Sequence, residues 1–164
     1  MPVVNNNTRL IILGSLPGEE SLRLQRYYAN PRNNFWRIIF RIFNQPLMEP
    51  YDERISFLKS KGIGLWDVIH AAERIGSLDS KIRNETANDF AALFRQYPDI
   101  KILIFNGRKA QKTFDKFVLR RQDLPENILL RYFPSTSPAH SRSSFEEKFI
   151  IWRTLKEIIE SRAH

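Results

Sequence analysis

The chain has 164 residues, 42% hydrophobic and 12% aromatic, which suits one folded domain over 1–164 with a sizeable core and argues against disorder. It has no cysteine, which excludes disulfides, thiol nucleophiles, iron–sulfur clusters and cysteine zinc sites, and its three histidines form no obvious metal cluster. Lysine and arginine number 26 against 18 acidic residues, and the net charge of +8 suits a polyanion. No stretch approaches the ~18 apolar residues of a membrane span, and the first residues lack the basic start and apolar core of a signal peptide. A soluble, cytoplasmic protein is expected.

In chain order, the apolar run Leu10-Ile11-Ile12-Leu13 predicts a strand over 9–13, leading into the turn Gly14-Ser15-Leu16-Pro17-Gly18. An aromatic and amide-rich segment, Tyr27-Tyr28-Ala29-Asn30-Pro31-Arg32-Asn33-Asn34-Phe35-Trp36, follows and opens a helix over 34–43. A second helix is predicted over 52–61 and a strand over about 63–68, with His70 just beyond it as a structural residue. Further on come a helix over 87–95, a buried strand over 100–105, a helix over 108–119 and a strand over 128–133. The last element is a helix over 144–159, in which Phe145, Phe149, Trp152, Leu155 and Ile159 recur at helical spacing as core. Continuous apolar strands alternating with helices predict a three-layer α/β/α sandwich with a mostly parallel central sheet of about four strands.

Three loops then fall at strand ends, over 14–18, 106–108 and 134–141, and a parallel sheet would gather them on one edge, where open α/β folds place ligands. Each has a plain structural reading beside a functional one. Gly14 and Gly18 could serve turn shape alone. Asn33 and Asn34 could cap the following helix, or one of them could orient a water or read a base edge. Tyr27, Tyr28, Phe35 and Trp36 could be packing, or one could stack on a base. Asn106-Gly107-Arg108-Lys109 could be an ordinary strand–helix turn, or its amides and cations could hold a phosphate. Pro134-Ser135-Thr136-Ser137-Pro138-Ala139-His140-Ser141 makes no serine-hydrolase case, since no nucleophile elbow appears.

Taken together, Gly14 to Gly18, Tyr28 to Trp36, Gly62-Ile63-Gly64-Leu65-Trp66-Asp67-Val68, Gly107-Arg108-Lys109-Ala110 and Ser135 to Ala139 resemble the uracil-DNA glycosylase superfamily, and most of all its hypoxanthine-DNA glycosylase branch. The motif order is kept across nearly the whole chain. The resemblance implies an α/β/α fold, no metal, no cofactor, a DNA partner, a monomer, and hydrolysis of a base–sugar bond. It implies that Asn33 is the catalytic amide and Tyr28 the residue stacked on the flipped base. It places Gly14, Ser15, Leu16 and Pro17 against the base. Gly107, Arg108, Lys109, Ser135, Thr136, Ser137, Pro138, Ala139 and His140 would hold the DNA.

Two departures stand out. Leu16 occupies a position where many relatives carry the Asn or Asp that positions the attacking water. The second motif opens with Ser135 rather than His or Asn, and its wedge position carries the short Ala139, with His140 as a neighbour to fill the gap. A non-catalytic DNA-binding module of this fold and a small nucleoside or nucleotide hydrolase are the alternative readings.

Overall fold

The protein was analysed as a computed structural model, which describes residues 1–70, 86–139 and 142–162. Four strands form its sheet: β1 (Leu10–Gly14), β2 (Ile63–Asp67), β3 (Ile102–Asn106) and β4 (Leu129–Phe133). All three pairings are parallel, in the order β2-β1-β3-β4. The central strands read as unbroken apolar runs because both of their faces are covered. Leu10, Ile12, Ile102 and Ile104 point to one side; Ile11, Leu13, Leu103 and Phe105 point to the other.

Helices fill both sides. The first layer holds α2 (Phe35–Ile42), α3 (Tyr51–Ser60), α6 (Phe145–Trp152) and α7 (Thr154–Arg162), packed around Phe35, Phe40 and Trp152. The opposite layer holds α4 (Phe90–Gln96) and α5 (Arg108–Phe114), packed around Phe90, Phe105 and Phe114. This is the expected three-layer sandwich. The short α1 (Glu19–Leu24) buries no residue, which is why apolar periodicity did not announce it.

Several boundaries differ from expectation for local reasons. The helix expected from residue 87 starts at Phe90: Ala87 bridges Ile69, and the Asp89 carboxylate caps the Ala92 N–H at 2.9 Å. The helix expected over 108–119 ends in a π turn from Asp115 to Leu119. The single helix expected over 144–159 is two. It starts with a capping box between Ser144 and Glu147, and it breaks at Arg153, where Thr154 Oγ1 donates back to the Ile151 carbonyl at 2.7 Å. Its apolar stripe is nevertheless core, with Trp152 and Leu155 fully buried.

The chain leaves β1 toward the first layer, through α1, α2 and α3, and leaves β3 toward the other, through α5. Divergent exits from adjacent parallel strands open a crevice outside their carboxyl ends, the usual ligand position in such sheets.

Candidate active site

The strands end on polar or small residues at that edge: β1 on Gly14, β2 on Asp67 and β3 on Asn106. Asn106 ties three segments together. Its Oδ1 accepts the Thr136 backbone N–H at 3.0 Å, while its Nδ2 donates to Thr136 Oγ1 at 3.0 Å and to the Tyr28 hydroxyl at 3.2 Å. Thr136 is fully buried, and its carbonyl accepts the Asn34 N–H at 3.1 Å. The β3 end, the loop after β4 and the segment before α2 are thus clamped through one amide side chain.

Tyr28 is held from two sides. Its ring stacks on the fully buried Phe35, with centroids 3.9 Å apart and planes inclined by 25°. Among the described residues no second ring is stacked on Tyr28; Tyr27 lies tilted at 6.5 Å. The Tyr28 backbone is left-handed, with φ +55°, a conformation that costs a residue with a side chain about 1–2 kcal/mol. Burial first, and the charge of Asp67 second, hold the Tyr28 hydroxyl above the usual phenol range, so it keeps its proton; the Asn106 hydrogen bond pulls the other way.

Asn33 accepts the Phe35 N–H on Oδ1 at 2.9 Å, so it does serve the start of α2, while its Nδ2 donates to no described residue. It lines a cleft of about 250 Å³ together with Tyr27, Tyr28, Trp36, Arg37 and Arg54. Asn34 sits at the N-cap position with no capping bond from its side chain, which instead accepts the Arg37 guanidinium. Arg41, near the same segment, is engaged within the fold: it pairs with Glu146 at 2.6 Å and lies over Phe149.

In the first loop, the Gly14 carbonyl accepts the Val68 N–H and the Ser15 carbonyl accepts the Ile69 N–H, both at 2.9 Å. Leu16 packs on the apolar cluster of the α4–α5 layer, as a leucine in place of an amide can do. Pro17 is half-buried beside it. A Cβ on Gly14 would come within 2.6 Å of Asp67 Oδ1, so glycine there makes room for this carboxyl. Burial pushes the Asp67 carboxyl up to about 7, with the N-terminal ammonium opposing.

The Gly107 amide, one of those offered to a phosphate by the sequence, donates to the Phe133 carbonyl at 2.9 Å instead and prolongs the β3–β4 ladder. Gly107 has φ +99°, and a Cβ there would meet Ser135 Cβ at 2.9 Å, so only glycine lets the two loops approach. Arg108 and Lys109 are exposed, Arg108 lying over the Tyr132 ring at 5.2 Å. Ser135 Oγ accepts the Ser137 N–H at 3.1 Å and Ser137 Oγ the Ala139 N–H at 3.3 Å, so successive hydroxyl turns carry Pro138 and Ala139 to an exposed tip. His140 lies outside the described residues.

The structure therefore brings Tyr28, Asn106, Thr136 and, through Gly14 and Asp67, the first loop to one edge; Tyr28 and Asn33 share the adjoining cleft. Sequence reasoning gave no role to the side chains of Asn106 and Asp67. A signal was present: each is the single polar residue closing an apolar strand.

The family model described as the Uracil DNA glycosylase superfamily matches residues 1–156. Two curated relatives, from Methanosarcina acetivorans and Methanosarcina barkeri, are 42% and 41% identical over 143 residues, 87% of this chain and 87% of each of theirs; both are named Hypoxanthine DNA glycosylase. The solution NMR structure of a candidate uracil DNA glycosylase from Methanosarcina acetivorans superimposes with a TM-score of 0.78 at 36% identity, covering 100% of this chain and 96% of that one. A family match over nearly the whole chain, on a fold whose loops meet at the same sheet edge, leads to one conclusion: the chain belongs to the uracil DNA glycosylase superfamily.

Proposed function

We propose that this chain is a monofunctional DNA N-glycosylase that hydrolyses the bond between hypoxanthine and deoxyribose in DNA, a base excision repair step. The observation that carries the reading is Tyr28, with one face backed by Phe35, its hydroxyl held by Asn106, and its backbone held in a strained left-handed conformation. Strain of this kind persists where the surrounding structure over-determines it, and it clusters at working sites. The names of the two Methanosarcina relatives support hypoxanthine as the base.

The chemistry follows from the parts. A base within a duplex is out of reach, so it must be flipped out, at a cost of a few kcal/mol. Arg108, Lys109 and the tip at Pro138 and Ala139 would hold the flanking backbone, the basic surface supplying affinity. Tyr28 would take the base on the face away from Phe35, with Gly14, Ser15, Leu16 and Pro17 along the base edge. The N9–C1′ bond would then break toward an oxocarbenium-like sugar, and N–H donors near the base would stabilise the departing negative charge. Asn33, with Nδ2 unengaged among the described residues, would position water on C1′. The residues assigned to the chemistry include no lysine, so the strand should not be cut.

The test is an end-labelled duplex carrying one deoxyinosine, with a deoxyuridine duplex alongside. Cleavage at deoxyinosine only after alkali supports the proposal. Cleavage at deoxyuridine alone replaces the base, and intact DNA with tight, salt-dependent binding identifies a binding module instead.

A further inference from the structure

We propose that Asp67 is the general base of this site, accepting the proton of the water that attacks C1′. The inference rests on the glycosylase reading above and adds to it the proton acceptor that reading lacks. Leu16 brings no polar group to the first loop, and a neutral amide such as Asn33 can orient a water but cannot take its proton.

The carboxyl is held in place and, among the described residues, unpaired. Asp67 is the last residue of β2 and pairs in register with Gly14, the last residue of β1. Its backbone is fixed on both sides: Val68 and Ile69 continue the pairing onto the carbonyls of Gly14 and Ser15, and the Asp67 carbonyl accepts Asn88 Nδ2 at 2.7 Å. Oδ1 occupies the space that a Cβ on Gly14 would fill. Yet among the described residues no N–H, hydroxyl or cation is bonded to either carboxylate oxygen. A buried carboxylate kept for structure is normally paired or hydrogen-bonded. Asp67 is half-buried, has no such bond among the described residues, lies against Gly14 of the first loop and is close enough to perturb the Tyr27 and Tyr28 hydroxyls, so it is placed to meet a ligand.

The step balances as a hydrolysis. The C1′–N9 bond breaks with its electron pair on the base, the water oxygen bonds to C1′, and one water proton passes to the Asp67 carboxylate. That proton then returns, directly or through solvent, to the departed base anion, leaving a free base, an abasic sugar and Asp67 ionised again.

The ionisable groups facing this carboxyl are the Tyr27 and Tyr28 phenols and the N-terminal ammonium. Both phenols hold their protons through the neutral range, so a rate change near pH 7 that Asp67→Asn abolishes reports Asp67 and not the ammonium. The experiment is single-turnover excision from a deoxyinosine duplex between pH 5 and 9, for the unmodified protein and for Asp67→Asn. The unmodified rate should rise with pH through about 7 and then level. Asp67→Asn should be slower by about a hundredfold, at the low end for acid–base catalysis because the sugar cation is itself reactive, with a flat profile and duplex affinity within a few-fold. An Asp67→Asn rate within threefold of the unmodified one, or an unmodified rate that falls with rising pH, overturns the assignment while leaving the glycosylase reading intact. Absence of excision by the unmodified protein instead removes the reading on which it rests. The pH profile needs no variant, so poor folding of Asp67→Asn does not shield the proposal.

Discussion

Replacing Asn106 with alanine should test the clamp on which the site depends. The change removes three hydrogen bonds, at 3.0, 3.0 and 3.2 Å, and strands the hydroxyl and amide of the fully buried Thr136. Each neutral bond contributes about 0.5–1.5 kcal/mol, and an abandoned buried polar group costs about 1–3 kcal/mol, so a loss of about 2–5 kcal/mol is expected. For a chain of this size that corresponds to a drop in Tm of about 5–15 °C. Thr136→Val, which deletes only the acceptor for Asn106 Nδ2 and keeps the backbone bond, should cost about 1–2 kcal/mol. The double variant should be less destabilised than the sum, because both substitutions break the same bond. Urea unfolding and a thermal melt read the stabilities; single-turnover excision below the melting range reads the site, where Tyr28 without its hydroxyl partner should slow the reaction more than it weakens duplex binding. A loss below about 0.5 kcal/mol for Asn106→Ala, or strict additivity in the double variant, would refute the clamp.

Asn33→Ala should lower excision by about a hundredfold through loss of water positioning, with duplex binding little changed; a near-normal single-turnover rate would remove Asn33 from the chemistry. Gly107→Ala should cost about 2–3 kcal/mol in urea unfolding, since it combines a φ of +99° with a 2.9 Å approach to Ser135 Cβ, and a neutral result would contradict that loop approach. Asp67 should also mark stability against pH. Its folded pKa of about 7 lies above the ordinary aspartate value of 3.8, so the native state binds the extra proton and the stability of the unmodified protein relative to Asp67→Asn should fall as pH rises from about 4 to 7, by about 2–4 kcal/mol, then stay level. Parallel curves for the two proteins would show that its surroundings do not raise this carboxyl. Duplex affinity should drop steeply with salt; a slope near zero would argue for a small-molecule substrate.

Much of this protein could be read along the chain. The four strands were legible because Leu10 to Leu13 and Ile102 to Phe105 are continuous apolar runs, and the alternation with helices dictates a parallel sheet covered on both faces. The motif residues Gly14, Tyr28, Asn33, Gly107 and Ser135 could be picked out by type and order. Their competing readings could not be resolved that way. Whether Asn33 caps or positions, and whether Leu16 packs or faces a ligand, depends on neighbours far off in sequence. Tertiary structure alone joined Asn106 to Thr136 and Tyr28, 30 and 78 residues away, and set Asp67 against Gly14 across two strands. Hydrophobic periodicity reports which face of an element is covered. It carries nothing about which polar side chains meet at the end of a sheet, because that is decided by strand order and register, and both are properties of the assembled fold.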